Sequence, residues 1–422
     1  MTVESIFSDD LFKFIRSSFS YLENDPFTNE RLYFENSGGS LRLKEVVAEA
    51  VKYAAFPDSS ARKNKSAKLL KSKALKGIED IRLFLNAQEG TIAPFHTASK
   101  ANFEIIRVIN DNTDGSNIVT TALEHPSSFD ACQIYGDTTK KEVRIAAPNP
   151  ETGKVEVSTI LNLVDSETSL LSVILTSNLT GAIHDIKEII HEVRKINPEM
   201  YIFVDAVQYA PHGIIDIESW PVDALTIAPY KMFGNRGIGF AYLSPRLASL
   251  PHNKLIDKDI DDWTIGSLSP SIYASFSKII DYITTIGSYY TNSNDRRALI
   301  VEGMKRIYLY ERELIKRLLY GSDEAKGLKD IDGVTVHFTK QPIENRDPII
   351  VLSFDHLTAE EAVSKYEQEN IIVCERSKDS PLSLRILQSV GLGSVVRVSP
   401  LHCHTFEEID EFLHVTKRIV SF

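Results

Sequence analysis

The sequence predicts an α/β protein, a large domain with a mixed, mostly parallel sheet between helices, followed by a smaller C-terminal α+β domain. Three observations carry this. From about residue 31 to 245, short apolar runs alternate with amphipathic helical patterns, the βαβ rhythm of a sheet covered on both faces. At 422 residues the chain exceeds one small core, so two domains are the default. Beyond residue 294 the rhythm changes to one long helix followed by mixed strands and helices.

In chain order, residues 9–22 place Phe12, Ile15, Phe19 and Leu22 on one stripe and read as a short amphipathic helix. Residues 1–30 are expected to form a helical arm on the small domain. The large domain is expected over 31–294. Its strands are expected at 90–92, 117–121, 142–146, 170–175, 201–204, 224–227 and 238–243. Helical patterns include 42–53, with Leu43, Val46, Val47, Ala50 and Val51, and 186–196, with Ile186, Ile189, Ile190 and Val193. The small domain, 295–422, opens on a helix to residue 320, with Leu299, Ile300, Met304, Ile307, Leu314, Ile315 and Leu318 as its apolar face. Asn294 or Asp295 could cap it. Strands follow at 333–338, 349–354 and 395–398. Helices are expected at 358–369 and 405–415, each opened by a capping box, Thr358-Ala-Glu-Glu and Thr405-Phe-Glu-Glu.

The formal net charge of −11 argues against a nucleic-acid or anionic-membrane partner. The exception is 62–76, with seven Lys/Arg in fifteen residues, read as a solvated helix face or a site-entrance or subunit contact. Three cysteines, Cys132, Cys374 and Cys403, are too few and too spread for a disulfide framework or a zinc site. No metal site is expected. The N-terminus carries acids and no long apolar run, so neither a signal peptide nor a membrane span is expected, and a reducing cytoplasm fits.

In open α/β sheets, ligands sit at the carboxyl ends of strands. The strand at 117–121 delivers Glu124-His125. The strand at 170–175 delivers Ser177-Asn178-Leu179-Thr180-Gly181, that at 201–204 delivers Asp205-Ala206-Val207-Gln208, and that at 224–227 delivers Pro229-Tyr230-Lys231. A lysine and a carboxylate on neighbouring strand ends suit pyridoxal 5′-phosphate (PLP). The lysine forms a Schiff base, and the carboxylate keeps the pyridinium nitrogen protonated. Each residue also has a plain reading. Lys231 alone could be a surface charge, and Asp205 a cap or ion pair. His125 could be a loop histidine rather than one that stacks on a flat ring. Asn178 and Gln208 could be turn residues rather than partners of a ring hydroxyl. Thr97-Ala98-Ser99 opens a helix, where the amides and hydroxyls would suit a phosphate or simply cap the helix. No G-x-G-x-x-G follows the first strand, which sets aside a dinucleotide-binding dehydrogenase.

Taken together, these segments resemble the class V group of fold-type I PLP enzymes, cysteine desulfurases, selenocysteine lyases and their relatives, from about Tyr33 to Leu413. Tyr33-Phe34-Glu35-Asn36-Ser37-Gly38-Gly39 resembles the opening strand and substrate loop. Thr121-Ala-Leu-Glu124-His125 resembles T-x-x-E-H, whose histidine stacks on the ring. Ser177-Asn178-Leu179-Thr180-Gly181 resembles S-N-x-x-G, and Asp205-Ala-Val-Gln208 with His212 resembles D-x-x-Q-x-x-x-H. Gly266-Ser267 resembles the pair that reaches the phosphate from the partner subunit, which implies a homodimer. Arg397-Val-Ser resembles R-x-S, whose arginine grips the substrate carboxylate through its bidentate fork. The resemblance implies Lys231, His125 and Asp205 as catalytic residues. It implies Thr97, Ala98, Ser99, Asn178, Gln208, Tyr230, Gly266 and Ser267 as cofactor contacts. It implies Arg397, Asn36 and Gly38 as substrate contacts.

Three departures stand out. Ala228 replaces a phosphate-binding serine, and Tyr230 replaces a histidine before the lysine. The stretch 377–384, where desulfurases carry a nucleophilic cysteine, has none. The expected function is a desulfurase-like C–S or C–Se lyase acting on an amino acid without that cysteine. An aminotransferase, an epimerase or a protein that has lost catalysis are the alternatives.

Overall fold

The computed structural model describes residues 6–57, 60–267 and 269–421, so the first five residues of the expected arm lie outside it. Its first helix, α1 (Asp9–Ser18), is capped by the Ser8 hydroxyl and buries Leu11 and Ile15. Arg16 of this helix fastens it to the far end of the chain, donating to the Cys403 carbonyl at 2.8 Å and pairing with Glu408 at 2.9 Å. The chain then runs through β1 (Leu32–Tyr33), α2 (Lys44–Ala54), α3 (Lys65–Leu85), β2 (Thr91–Phe95), α4 (Ala98–Asn112), β3 (Asn117–Thr121), α5 (Pro126–Thr139) and β4 (Glu142–Ala146). Next come β5 (Thr168–Ile174), α6 (Ile186–Ile196), β6 (Tyr201–Asp205), β7 (Ala224–Ile227), β8 (Gly239–Leu243), α7 (Pro270–Ser288) and α8 (Arg296–Tyr320). The last part holds β9 (Val334–Val336), β10 (Ile350–Phe354), α9 (Ala359–Gln368), β11 (Ile371–Ile372), β12 (Cys374–Arg376), β13 (Val395–Val398) and α10 (Phe406–Val420).

Seven strands form the main sheet in the order β2-β8-β7-β6-β5-β3-β4. β8 is antiparallel to both its neighbours, and the pairs from β7 to β4 are parallel. Side chains alternate across a strand, so a sheet covered on both faces needs apolar residues at odd and even positions alike. β8 shows this directly. Phe240 and Tyr242 enter one core and Ala241 and Leu243 the other. Phe240 packs on Tyr273 and Phe276 of α7, whereas α4 lies across the opposite side with Ile105 and Ile109. β6 divides in the same way, Ile202 and Val204 on one side and Phe203 on the other.

A second, antiparallel sheet has the order β9-β10-β13-β12. The opening strand β1 pairs in parallel with β11, a neighbour of this smaller sheet, and Ser399 donates its amide to the Phe34 carbonyl at 2.6 Å. The loop after β1 is therefore held by the C-terminal part of the chain while it faces the main sheet. Both capping boxes form, at Thr358 with Glu361 and at Thr405 with Glu408. The basic stretch 62–76 falls mostly in α3, where Ala67, Leu70 and Ala74 are buried among solvated lysines.

Helices α3, α7 and α8 meet where glycines let their backbones touch. A Cβ on Gly77 would sit 2.5 Å from the Tyr273 carbonyl oxygen. One on Gly287 would sit 2.1 Å from that of Leu299, and one on Gly303 would sit 2.2 Å from that of Ile283. Alanine favours a helix over glycine by about 1 kcal/mol, but here it would press on backbone that cannot rotate away. Gly303→Ala is therefore expected to lose stability by about 1–3 kcal/mol, read as a lower Tm in calorimetry. A Tm equal to or above that of the parent would contradict this packing.

Candidate active site

The carboxyl ends of β3, β5, β6 and β7 open into one cavity of about 390 Å³. β7 ends at Ile227, and a short turn, Pro229–Lys231, swings the lysine back beneath the strand ends. Lys231 is only 6% exposed. Its ammonium nitrogen donates to Gln208 Oε1 at 3.0 Å and to the Ser37 carbonyl. No carboxylate lies within salt-bridge distance of it among the described residues. Burial, with a smaller push from the Arg397 charge, brings the Lys231 amine down to about 7, against weaker opposition from Glu35 and Asp205.

Asp205 closes β6, the strand beside β7, with Asp205 and Thr226 in register. Its Oδ1 accepts from the Val207 amide at 3.0 Å. Its Oδ2 accepts from Asn102 Nδ2 at 3.0 Å and from the Ser128 hydroxyl at 3.4 Å. The carboxylate is thereby fixed in orientation as an acceptor facing the cavity. His125 caps α5, its Nδ1 accepting from the Ser127 amide at 3.2 Å with the Ser127 hydroxyl at 2.8 Å. Burial lowers its pKa, which favours a neutral ring. Asn178 and Gln208 line the same space, and Asn178 Oδ1 and Gln208 Nε2 are buried without a protein partner. Thr97, Ala98 and Ser99 reach it from the start of α4, where Thr97 Oγ1 accepts from the Lys100 amide at 3.0 Å. Gly239 allows this approach, since a Cβ there would lie 2.3 Å from the Ala98 nitrogen.

The C-terminal part completes the wall. Arg397 on β13 is 1% exposed, donates through Nη1 to the Asn178 carbonyl at 2.6 Å, and forms an ion pair through Nη2 with Glu35. Gly38 lines the cavity beside it. Tyr230 also lines it, carrying the Arg236 guanidinium on its ring at 4.2 Å. Arg385 ties the Ala122 and Glu124 carbonyls, and so the His125 turn, to the C-terminal part.

Three expected residues stand apart. Asn36 is buried but outside the lining. Its amide is used by the Tyr33 and Ser399 carbonyls and the Leu41 amide, so it holds the loop rather than facing the cavity. Ser267 lines a second cavity of about 770 Å³, shared with Thr97 and Ser99, and Gly266 lines neither. Ala228 is buried and lines neither cavity. Cys374 is half-buried, its Sγ donates to the Glu375 carbonyl at 3.1 Å, and burial pushes its thiol up to about 11. Such a thiol is no nucleophile at neutral pH. Sequence reasoning did not single out Ser37, Asn102, Arg236 or Arg376. Ser37, Asn102 and Arg236 arrive through contacts distant in sequence, with Lys231, Asp205 and Gly38, whereas Arg376 ends β12 and donates to the nearby Leu382 carbonyl.

A buried lysine and an oriented aspartate at adjacent strand ends, within this sheet topology, define a fold-type I PLP enzyme. Residues 32–268 match the model of the aminotransferase class-V family, and the chain belongs to that family. It is similar to a probable cysteine desulfurase of Borreliella burgdorferi, 24% identical over 423 residues, 97% of this chain and 96% of that one. A probable cysteine desulfurase of Mycoplasma genitalium is 30% identical over 244 residues, 56% of this chain and 57% of that one. Among solved structures, the apo cysteine desulfurase of Thermococcus onnurineus shares the fold, with a TM-score of 0.80 at 20% identity, covering 97% of this chain and 98% of that one. No helix among the described residues is long and apolar enough to cross a membrane.

Glu124 yields a pH prediction. Its Oε1 accepts from the Thr121 hydroxyl at 2.8 Å and the Ile174 amide at 2.7 Å. Burial, opposed by the Thr121 hydrogen bond, pushes the carboxyl from 4.5 up to about 8. The folded chain therefore keeps a proton that the unfolded chain releases. That contribution is full below pH 4.5 and is lost as pH rises through about 8. Glu124→Gln, neutral throughout, should show a shallower fall of Tm over this range. Identical slopes for the two proteins would refute the assignment.

Proposed function

We propose that this chain is a PLP-dependent, cysteine desulfurase-like C–S lyase acting on a small amino acid. The observation that carries the reading is the Lys231 amine, buried, held near neutrality and set beside Asp205. The groups present suit the cofactor. Lys231 would bind its aldehyde, Asp205 its ring nitrogen, and Asn178 and Gln208, each with a buried unpartnered atom, its ring hydroxyl. The His125 ring would cover one face, and the amides at the start of α4 would take the phosphate. Tyr230 would close the lysine side. Once bound, PLP supplies an electron sink for the bonds at Cα.

The chain's own residues do the rest. Arg397 would orient the substrate carboxylate, which takes over the contact that Glu35 makes. Gly38 leaves room for the substrate backbone, since a side chain there would meet Glu35 and Arg397. Burial favours the neutral form of Lys231, and in that form its Nζ would accept the Cα proton. Its hydrogen bonds to Gln208 and to the Ser37 carbonyl hold the nitrogen in place for that transfer. With L-cysteine the Cβ–S bond then breaks, sulfur leaves as hydrosulfide with the bonding pair, and the remaining three-carbon unit hydrolyses to pyruvate and ammonia. The absence of a cysteine from 377–384 and the suppressed Cys374 thiol favour this outcome over transfer of sulfur to the protein.

A homodimer fits this reading, with the partner subunit's Ser267 reaching the phosphate. Support comes from the apolar residues Ile256, Ile260 and Ile265, which are exposed just before Ser267. A cytoplasmic setting fits three unpaired cysteines.

Purified protein mixed with PLP should gain a visible absorption band that Lys231→Ala abolishes. L-Cysteine should then give pyruvate and sulfide in equal amounts. Pyridoxamine phosphate and a keto acid in their place would mark an aminotransferase. A band that survives Lys231→Ala would remove the lysine from its role.

A further inference from the structure

Phe233, two residues after Lys231, holds a left-handed backbone, with φ at +64°. Residues with a Cβ seldom adopt this conformation, and a bulky ring makes it rarer. The Gly234 amide donates back to the Pro229 carbonyl at 2.9 Å, which closes the turn that carries the lysine. This is the bond that ends a helical turn around one left-handed residue, and glycine is the usual residue there because it adopts that backbone without strain. The chain instead places phenylalanine at that point and glycine one residue later. Strain of this kind persists only where the surroundings over-determine it. Two sets of contacts do so, one on the backbone and one on the ring.

On the backbone, the Ser40 hydroxyl accepts from the Phe233 amide at 2.8 Å and donates to the Tyr230 carbonyl at 3.1 Å, so one side chain spans the lysine. The Leu43 amide donates to the Phe233 carbonyl at 2.9 Å. The Phe233 ring is fully buried and meets Phe19, Tyr282 and His402 edge-on, at centroid distances of 5.7, 6.1 and 5.1 Å. These three rings come from the residue that ends α1, from α7 and from the segment after β13. The Tyr282 hydroxyl and His402 Nε2 lie 2.8 Å apart, which fixes two of them against each other. Edge-to-face contacts favour one orientation of the enclosed ring. A side chain so enclosed holds the backbone that bears it.

We propose that Phe233 is a positioning residue for Lys231, and that Phe19 of the N-terminal arm acts on the lysine through it. Resting on the proposed role of Lys231, this gives the box of four rings a part in the chemistry as well as in packing. The turn stays closed only while Phe233 keeps its left-handed backbone. Loss of the ring frees the turn, and the lysine side chain then leaves the dry position where Gln208 and the Ser37 carbonyl hold its nitrogen.

The test compares Phe233→Gly, Phe233→Leu and Phe19→Leu with the parent, by NMR titration of the Lys231 amine in PLP-free protein and by the rate of PLP uptake. Phe233→Gly accepts the backbone without strain but empties the box. Its Lys231 midpoint should rise from about 7 by about one unit or more, toward the ordinary lysine value of about 10.4. A rise of about one unit leaves about a tenth of the amine neutral at about pH 7 instead of about half, so PLP uptake should slow about fivefold. Phe233→Leu, which refills part of the box, should restore part of both. Phe19→Leu should move both in the same direction by less. A midpoint and an uptake rate equal to the parent's in Phe233→Gly overturn the assignment and reduce the box to packing, even where Tm falls. Should that variant not fold, equality in Phe19→Leu overturns it in the same way. A parent protein that takes up no PLP contradicts the proposed function instead, and the titration still tests the box.

Discussion

The site depends on one constraint, an amine taken out of water without a counter-ion in contact. Lys231 has a carbonyl and an amide oxygen as partners, and these accept from either form of the amine. Burial therefore works against the charged form. A salt bridge to Glu35 or Asp205 would reverse this and leave a protonated lysine unable to attack an aldehyde. Both acids are kept occupied elsewhere. Glu35 is held by Arg397, and Asp205 by Asn102, Ser128 and the Val207 amide.

The architecture follows from this separation. The main sheet supplies His125, Asp205 and Lys231 to the cavity, each at or just after the end of its own strand. The C-terminal part supplies Arg397, on β13, to the same cavity. The loop after β1 joins the two, since Ser37 touches Lys231 while its amide and hydroxyl bond to the Ser399 hydroxyl. Motion of the small sheet would thus be felt at the lysine. Arg385 adds a second link, to the turn that carries His125.

The inner strands of the sheet were legible because they are buried on both faces and read as largely apolar runs. The strands at 117–121, 142–146 and 224–227 and the helix at 186–196 fall where the pattern places them. Capping boxes were legible because their partners lie three residues apart. In α3 only the basic face over 62–76, a solvated face or a site-entrance or subunit contact, is legible, since the buried side is made largely of small residues such as Ala67, Ala74 and Gly77. The strand-end polar residues could be named one by one, because each follows its own apolar run. The Glu35–Arg397 pair, 362 residues apart in sequence, depends on tertiary pairing that no local pattern encodes. Asn36 shows the converse, a polar residue in a suggestive loop whose amide is consumed by backbone.

The chemistry of the site turns on the protonation of a single nitrogen, and that can be observed directly. NMR titration of 15N-lysine-labelled, PLP-free protein, with Lys231→Ala to assign the signal, reports the Lys231 amine itself. The structure predicts a midpoint at about 7. A midpoint at the ordinary lysine value of about 10.4 would show that the amine is solvated or ion-paired, and would contradict the account.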